Sequence, residues 1–205
     1  LYKAGKAGSP SPVQPRCRDM VWPSDNTDPV DRLEIQQGYS LLYPTKCMRA
    51  WVTDTNKKAR PVSTAFRFAV SMQGSLSIGS DLTKLTKKEI SDYKKYIALY
   101  KKIRHTVQFG DLYRVMTYEQ DKIYFTGYVS KDRSQAAYFA CTGANSFFGS
   151  RYVTLKFEGL NENAVYSVSS EHRKFKKSGA YLMHRGIDVA YYNPLESEIF
   201  VLEKE

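Results

Sequence analysis

The sequence predicts an α/β part followed by an all-β part, with the change near residues 108–113. Helical and strand patterns alternate from residue 28 to residue 105, as at the end of a larger α/β array. After Gly110 the pattern changes to short runs containing Val, Ile, Tyr and Phe, separated by turns. Such runs are typical of an antiparallel β-sandwich.

The α/β part is expected to begin with a helix over residues 28–42. Asp28 is a good N-cap and Pro29 is a good first helical residue. We expect this helix to carry four apolar side chains into a core, namely Leu33, Ile35, Leu41 and Leu42. The elements expected next are a short buried strand, a polar loop, an apolar helix and an extended piece, over residues 46–53, 53–60, 65–73 and 75–80.

The clearest element is a helix that starts after Thr86 and ends near residues 104–110. Thr86 and Glu89 have the spacing of a capping box. Apolar side chains then recur at three- and four-residue spacing, at Ile90, Tyr93, Ile97, Tyr100 and Ile103. The other face of the helix is rich in lysine, so we expect it to be solvated.

The all-β part contains six predicted strands, over residues 112–117, 122–129, 136–141, 152–157, 164–169 and 198–203. At the other end of the chain, residues 1–16 are rich in Gly, Pro, Ser and Lys. They offer almost nothing to bury, so we expect residues 1–19 to form a flexible tail.

Composition excludes several classes of protein. A hydrophobic content of 42% excludes a mainly disordered chain, and no run approaches the roughly 18 apolar residues of a membrane helix. The first residues lack the apolar core of a signal peptide. Cys17, Cys47 and Cys141 are far apart and form no CxxC, so we expect free thiols and a cytoplasmic location.

The formal net charge of +10 raises the question of a nucleic-acid partner. The lysines are mixed with acidic residues over several elements and no nucleic-acid motif accompanies them, so we expect solvated faces and no such partner. A polyanion-binding surface is the alternative, and it would show a steep salt dependence. His105, His172 and His184 lie in different elements and lack metal-ligand spacing, so no metal site is expected.

Function is most strongly indicated by the stretch from Ser24 to Arg32. It places Asp25 three residues before the helix cap Asp28, and Arg32 lies one turn after Asp28, where the two can pair. Asp25 has no evident structural duty, and a carboxylate in such a loop can act as a general acid, provided that burial raises its pKa. The alternative is that both carboxylates are ordinary turn and cap residues.

This stretch resembles the acid/base segment of glycoside hydrolase family 36, the microbial α-galactosidases. The family pattern SDxxDxxxR is matched at every fixed position, by Ser24, Asp25, Asp28 and Arg32. The resemblance covers about residues 20–205. It continues through Ile35-Gln36, Tyr43-Pro44, Asp81–Leu85, Gln108–Arg114, Phe157–Leu160 and Phe200–Glu203.

The resemblance implies the C-terminal portion of a (β/α)8 TIM barrel over residues 20–110 and an antiparallel β-sandwich over residues 111–205. Asp25 would be the general acid/base of a retaining exo-α-galactosidase that acts on raffinose-type oligosaccharides without a cofactor. Trp22 would stack on a sugar or plug the barrel rim, and Asn26 would contact a hydroxyl or satisfy the turn. Asp28 and Arg32 would be structural supports. Full-length members are often homo-oligomeric.

The family's nucleophile lies in a Lys-Trp-Asp motif that does not occur in these 205 residues. We therefore expect the chain alone to be inactive, and its start to be truncated or aberrant. Cys17 is too close to Asp25 to be the family's sugar-contacting cysteine. Arg49 and Trp51 depart from the Gly and His of many members, so specificity at the mouth of the site stays open.

Two other functions stay open at this point. One is an α-N-acetylgalactosaminidase of the same family. The other is a noncatalytic β-domain that binds carbohydrate or a polyanion, which would make residues 111–205 alone retain a glycan or heparin.

Overall fold

The computed structural model describes residues 20–54, 62–117, 123–143 and 151–205. The expected flexible tail at 1–19 lies outside the described residues, as does nearly all of the expected polar loop at 53–60.

The first part of the chain alternates parallel strands with helices. A parallel bridge pairs Val21 with Met48, and β1 pairs with β2 in parallel. The elements are α1 (Pro29–Leu42), β1 (Arg49–Val52), α2 (Thr64–Ser71), β2 (Ser75–Ile78) and α3 (Lys87–Phe109), with short 3-10 helices at Thr45–Cys47 and Leu82–Lys84. The Val21 bridge and β1 are each followed by a helix and then by a parallel neighbour, and β2 is followed by α3, as expected for the end of a (β/α)8 barrel.

Helix α1 begins where its sequence predicts, but its last turn is not buried. The Asp28 carboxylate accepts from the backbone N–H groups of Val30 and Asp31, at 2.9 and 3.3 Å. Leu33 is buried, whereas Leu41 and Leu42 are 69% and 80% exposed, so the expectation that both enter the core is wrong. The reason is the helical period: the buried face of α1 carries Arg32, Leu33 and Gln36, and Leu41 and Leu42, each nine residues after Arg32 and Leu33, point to the opposite side of the helix.

Helix α3 confirms the predicted capping box. The Thr86 hydroxyl accepts from the Glu89 backbone N–H at 3.2 Å, and the Glu89 carboxylate accepts from the Thr86 N–H at 2.9 Å. Tyr93, Tyr100 and Ile103 are buried as the spacing indicates.

The second part is entirely antiparallel. Its strands are β3 (Asp111–Met116), β4 (Ile123–Val129), β5 (Gln135–Thr142), β6 (Arg151–Leu155), β7 (Val165–Ser169), β8 (Lys174–Ser178), β9 (Ile187–Tyr191) and β10 (Ser197–Lys204). Six of them form one sheet in the order β3-β4-β5-β10-β7-β8, and β6 pairs with β9. Strands β8 and β9 were not predicted. Between them lies one π-helical turn at Tyr181–Arg185.

The six-stranded sheet is covered on both faces. Phe125, Phe157 and Phe200 pack between it and the β6–β9 pair, with the ring centroids of Phe125 and Phe157 5.4 Å apart. On the opposite face, Phe139 and other sheet residues pack against α2 and α3, whose side chains include Phe68. The central strands β4 and β5 are therefore buried almost completely.

The cysteines differ from expectation. Cys47 is disulfide-bonded, so the prediction of free thiols is wrong there. Cys141 is a free thiol buried in β5, and Cys17 lies outside the described residues. None of the helices in the described ranges has the length and apolar character needed to cross a bilayer.

Candidate active site

Three loops follow the parallel strand positions and therefore lie at the same edge of the barrel part. They are Trp22–Asp28 after the Val21 bridge, the chain after β1, and Gly79–Thr86 after β2. The first two are in contact, because the Thr53 hydroxyl donates to the Thr27 carbonyl at 3.2 Å. In (β/α)8 enzymes this carboxyl-terminal edge is the one that carries the active site.

Asp25 lies in the first loop, and its neighbours hold the backbone on both sides of it. The Asn26 N–H donates to the Ser24 hydroxyl at 3.1 Å, and the Asn26 amide oxygen accepts from the Asp28 N–H at 3.0 Å. The Asn26 amide nitrogen donates to the Asp31 carboxylate at 2.7 Å. The Asp25 carboxylate is exposed and takes no part in these bonds.

The sequence left two roles open for Asn26, one in the turn and one in contact with a sugar hydroxyl. The observed contacts give it the role in the turn. Both ends of its amide are used within the loop. A direct contact of Asn26 with a sugar stays a prediction.

Arg32 ties this loop to the neighbouring strand. Its side chain is buried, and its guanidinium donates to the carbonyls of Ser24 and Arg49, at 3.4 and 2.9 Å. Burial lowers the pKa of Arg32 from 12.5 to about 10. The guanidinium donates to these two backbone oxygens and Asp28 caps α1, and the pairing of Arg32 with Asp28 that the spacing suggested stays a prediction.

Trp22 contacts a second tryptophan that sequence reasoning did not place in the site. The rings of Trp22 and Trp51 meet edge to face with centroids 4.6 Å apart, and the Arg49 guanidinium lies 5.9 Å from the Trp51 ring. Ala50 and Val52 are buried on the helix side of β1, so Arg49 and Trp51 occupy the opposite, barrel-interior face. The period-two alternation along β1 could have placed Trp51 on the interior face, but no local signal pairs it with Trp22.

A glycine makes room for this aromatic pair. A Cβ placed on Gly79, just after β2, would lie 2.4 Å from the Trp51 ring atom Cε3. Any larger residue at position 79 would therefore displace the indole.

Arg67 was also missed by sequence reasoning, because α2 reads as an apolar helix. It is buried and donates to the Thr53 carbonyl at 3.0 Å and to the Asp54 carboxylate at 3.1 Å. It therefore holds the start of the second loop. The third loop is held by Ser80, whose hydroxyl donates to the Val52 carbonyl at 3.2 Å and bonds to the Tyr93 hydroxyl at 2.7 Å.

In the described part of the chain, this edge carries two exposed carboxylates, Asp25 on the first loop and Asp81 on the third, and Asp81 already accepts from Thr83. Asp25 is therefore the candidate for proton transfer. Retaining glycoside hydrolysis needs a second carboxyl group about 5–5.5 Å from the first. The Lys-Trp-Asp tripeptide that would supply it is not in the sequence. Among the described residues, no three His, Cys, Asp or Glu side chains are grouped so as to hold a metal ion.

Comparison with known proteins gives the same assignment for both parts of the chain. The Melibiase family profile matches residues 16–110, and the profile of the glycosyl hydrolase family 36 C-terminal domain matches residues 123–202. The chain is 37% identical over 176 residues to α-galactosidase AgaA of Geobacillus stearothermophilus, which covers 83% of the chain and 23% of that protein. It is 34% identical to α-galactosidase Mel36A of Lactobacillus acidophilus, over 86% of the chain and 23% of the relative.

Solved structures agree with this assignment. The α-galactosidase AgaB of Geobacillus stearothermophilus superposes with a TM-score of 0.83 at 32% identity, over 91% of this chain and 26% of that one. A variant of AgaA in complex with raffinose gives a TM-score of 0.83 at 31% identity, with the same coverage. The chain thus spans about a quarter of the length of its relatives. The two profile matches, the sequence identity and the shared fold show that the chain belongs to glycoside hydrolase family 36, as the end of the catalytic barrel followed by the β-sandwich.

Proposed function

We propose that the whole protein is a retaining exo-α-galactosidase that releases terminal α-linked galactose from raffinose-type oligosaccharides. The observation that carries the proposal is the position of Asp25. It is an exposed carboxylate on a fixed loop at the carboxyl-terminal edge of the barrel strands, in a chain that matches α-galactosidases on both sides of it. Relatives solved with raffinose and with stachyose support the substrate class.

In the proposed reaction Asp25 first donates a proton to the oxygen of the leaving sugar. It then takes a proton from the water that releases galactose from the enzyme. The attacking carboxylate would come from a part of the protein outside these 205 residues. Trp22 would form the aromatic wall of the sugar site beside Asp25.

Two properties expected from the resemblance also stay proposals. The whole protein would assemble as a homo-oligomer, as full-length members often do. A cytoplasmic location stays a prediction from the sequence, and the disulfide at Cys47 removes one of its arguments.

The proposal is tested by grafting residues 20–205 onto AgaA in place of its matching segment. We expect the graft to hydrolyse raffinose and nitrophenyl α-galactoside. Asp25→Asn should lower kcat/KM for raffinose by roughly 10²–10⁴-fold, because general-acid assistance is lost. An aryl galactoside with a good leaving group needs little protonation, so its kcat/KM should fall much less. Glu34→Gln, which removes an exposed carboxylate from α1, is the matched control.

Azide distinguishes an acid/base from other roles of Asp25. In the Asn variant, azide should attack the anomeric carbon of the galactosyl-enzyme, displace the enzyme carboxylate and yield α-galactosyl azide. This product has the configuration of the substrate. Undiminished raffinose hydrolysis by the Asn variant would remove Asp25 from the mechanism, and an inactive unmodified graft would contradict the proposed function itself.

A further inference from the structure

A cavity lies at the seam where the helices of the barrel part meet the six-stranded sheet. It has a volume of about 240 Å³, is partly open to solvent and lies between α2, α3, β7 and β10. Its volume is below the roughly 300–1,000 Å³ of sites for drug-sized ligands, so its occupant must be small. None of its lining residues belongs to the Asp25 loop, to β1 or to β2.

The charged groups at this cavity are already paired within the protein. Lys95 donates to the Glu171 carboxylate at 2.8 Å, and the Tyr96 hydroxyl donates to the same carboxylate at 3.2 Å. The buried Glu198 accepts from Arg173 at 3.1 Å and from a serine hydroxyl. An occupant therefore meets no unbalanced charge, and a charged ligand would have no counter-ion.

Uncommitted hydrogen-bonding capacity is left on one side of the cavity. Ser197 lines the cavity, and its hydroxyl can donate one hydrogen bond and accept two. The Ser169 hydroxyl donates to the Val201 carbonyl at 3.3 Å and keeps its acceptor lone pairs. The ammonium of Lys95 has three N–H donors, of which the bond to Glu171 uses one.

The other side of the cavity is apolar. Ala65 and Leu99 come from the helices, and Ile199 and Val201 from β10. A small neutral ligand with hydroxyl groups on one side and C–H groups on the other matches both walls. Purely apolar ligands would leave the serine side unused, and purely polar ones would face the aliphatic side.

We propose that this seam cavity is a second carbohydrate site, which binds a neutral monosaccharide or small polyol away from the Asp25 loop. The ligand touches α3 and β10 at once, so it joins the barrel part to the sandwich. The site is independent of the proposed catalytic function, because none of its lining residues belongs to the Asp25 loop, to β1 or to β2.

The test is protein-observed NMR on the full 205-residue chain, labelled with ¹⁵N and titrated with galactose and glycerol. We expect saturable shifts of the amide signals of Ser169, Ser197 and Lys95, with dissociation constants of roughly 1–10 mM, as befits a small ligand. Gluconate and glucosamine, which carry opposite charges, should bind more weakly than galactose because the charges around the cavity are balanced.

Two variants locate the site. Ser197→Ala removes one hydroxyl and should weaken binding roughly two- to tenfold, as expected for one hydrogen bond. Leu99→Trp fills the cavity and should abolish the shifts, whereas Leu82→Trp on an exposed 3-10 helix should leave them unchanged. Shifts that do not saturate, that persist in Leu99→Trp, or that centre on Trp22 and Asp25 would overturn the proposal. Equal or tighter binding of a charged analogue would also overturn it.

Discussion

Replacing Arg32 by methionine should harm turnover far more than stability. Its guanidinium makes two charged hydrogen bonds to backbone carbonyls, at 2.9 and 3.4 Å, and each such bond contributes about 1.5–3 kcal/mol, with the longer one at the low end. Against this, lowering the pKa from 12.5 to about 10 corresponds to roughly 3 kcal/mol of desolvation of the charged form. The two terms largely offset each other, so Arg32→Met should cost only about 1–2 kcal/mol of unfolding free energy.

The effect on turnover has a different origin. The Ser24 carbonyl precedes Asp25 directly, so losing the guanidinium releases the loop from β1. A displacement of about 1 Å at the reacting group is enough for a loss of about 10²-fold. In the AgaA graft we therefore expect kcat/KM for raffinose to fall about 100-fold. Arg32→Lys should fall almost as far, because a single ammonium nitrogen does not reproduce the planar fork in which two guanidinium nitrogens each meet one carbonyl.

Urea unfolding and raffinose hydrolysis, measured on the same graft, separate the two effects. The matched control is Arg114→Met. Arg114 donates to the carbonyl and hydroxyl of Ser40, at the opposite end of α1 from the Asp25 loop. Its loss should lower stability without changing turnover. The reasoning fails if Arg32→Met keeps raffinose kcat/KM within about threefold, or if both variants lose turnover equally.

The remaining predictions concern the fold. Burial raises the pKa of the Cys141 thiol from 9.0 to about 12, so its contribution to stability is complete below about pH 9 and is lost as the pH rises through about 12. The unfolding free energy should fall by roughly 3 kcal/mol from this group between pH 8 and 11. The unfolding free energy of Cys141→Ala, measured by denaturant titration, should fall less over that pH interval than that of the unmodified chain. Equal losses would show that the Cys141 thiol is not the cause. Thr86→Ala removes the α3 cap and should cost about 1 kcal/mol, whereas Thr86→Ser should cost almost nothing in the same titration; equal losses would refute the capping role.

Local sequence signals predicted the elements whose causes are local. The N-cap at Asp28 and the box of Thr86 with Glu89 need only neighbouring residues, and both were found where expected. Strand β8 was not predicted from the sequence, because its three lysines in five residues favoured a solvated face over a strand. Lysine suits the outer edge of a sheet, and β8 lies at that edge.

Contacts between distant residues could not be read in the same way. The partner of Trp22 is 29 positions away, and that of the Arg32 guanidinium is on β1. The burial of Arg67 depends on the loop that it holds rather than on the pattern of α2. The exposed end of α1 was misplaced for a local reason: Leu41 and Leu42 lie on the side of the helix opposite to the face that carries Arg32 and Leu33.

The six-stranded sheet contributes to a hydrophobic core on each of its faces, and this limits where related proteins can exchange segments by recombination. One side chain layer of β5 belongs to the sandwich core, and the other, with Phe139, completes the packing of α2 and α3. A recombination crossover near residue 110 would combine the helices of one relative with the sheet of another. Because side chains in protein interiors are closely packed, the mismatch would create voids or clashes along the seam. Exchange between relatives should therefore be tolerated at the start of the Asp25 loop and selected against at the apparent boundary between barrel and sandwich. The two segments form one packing unit.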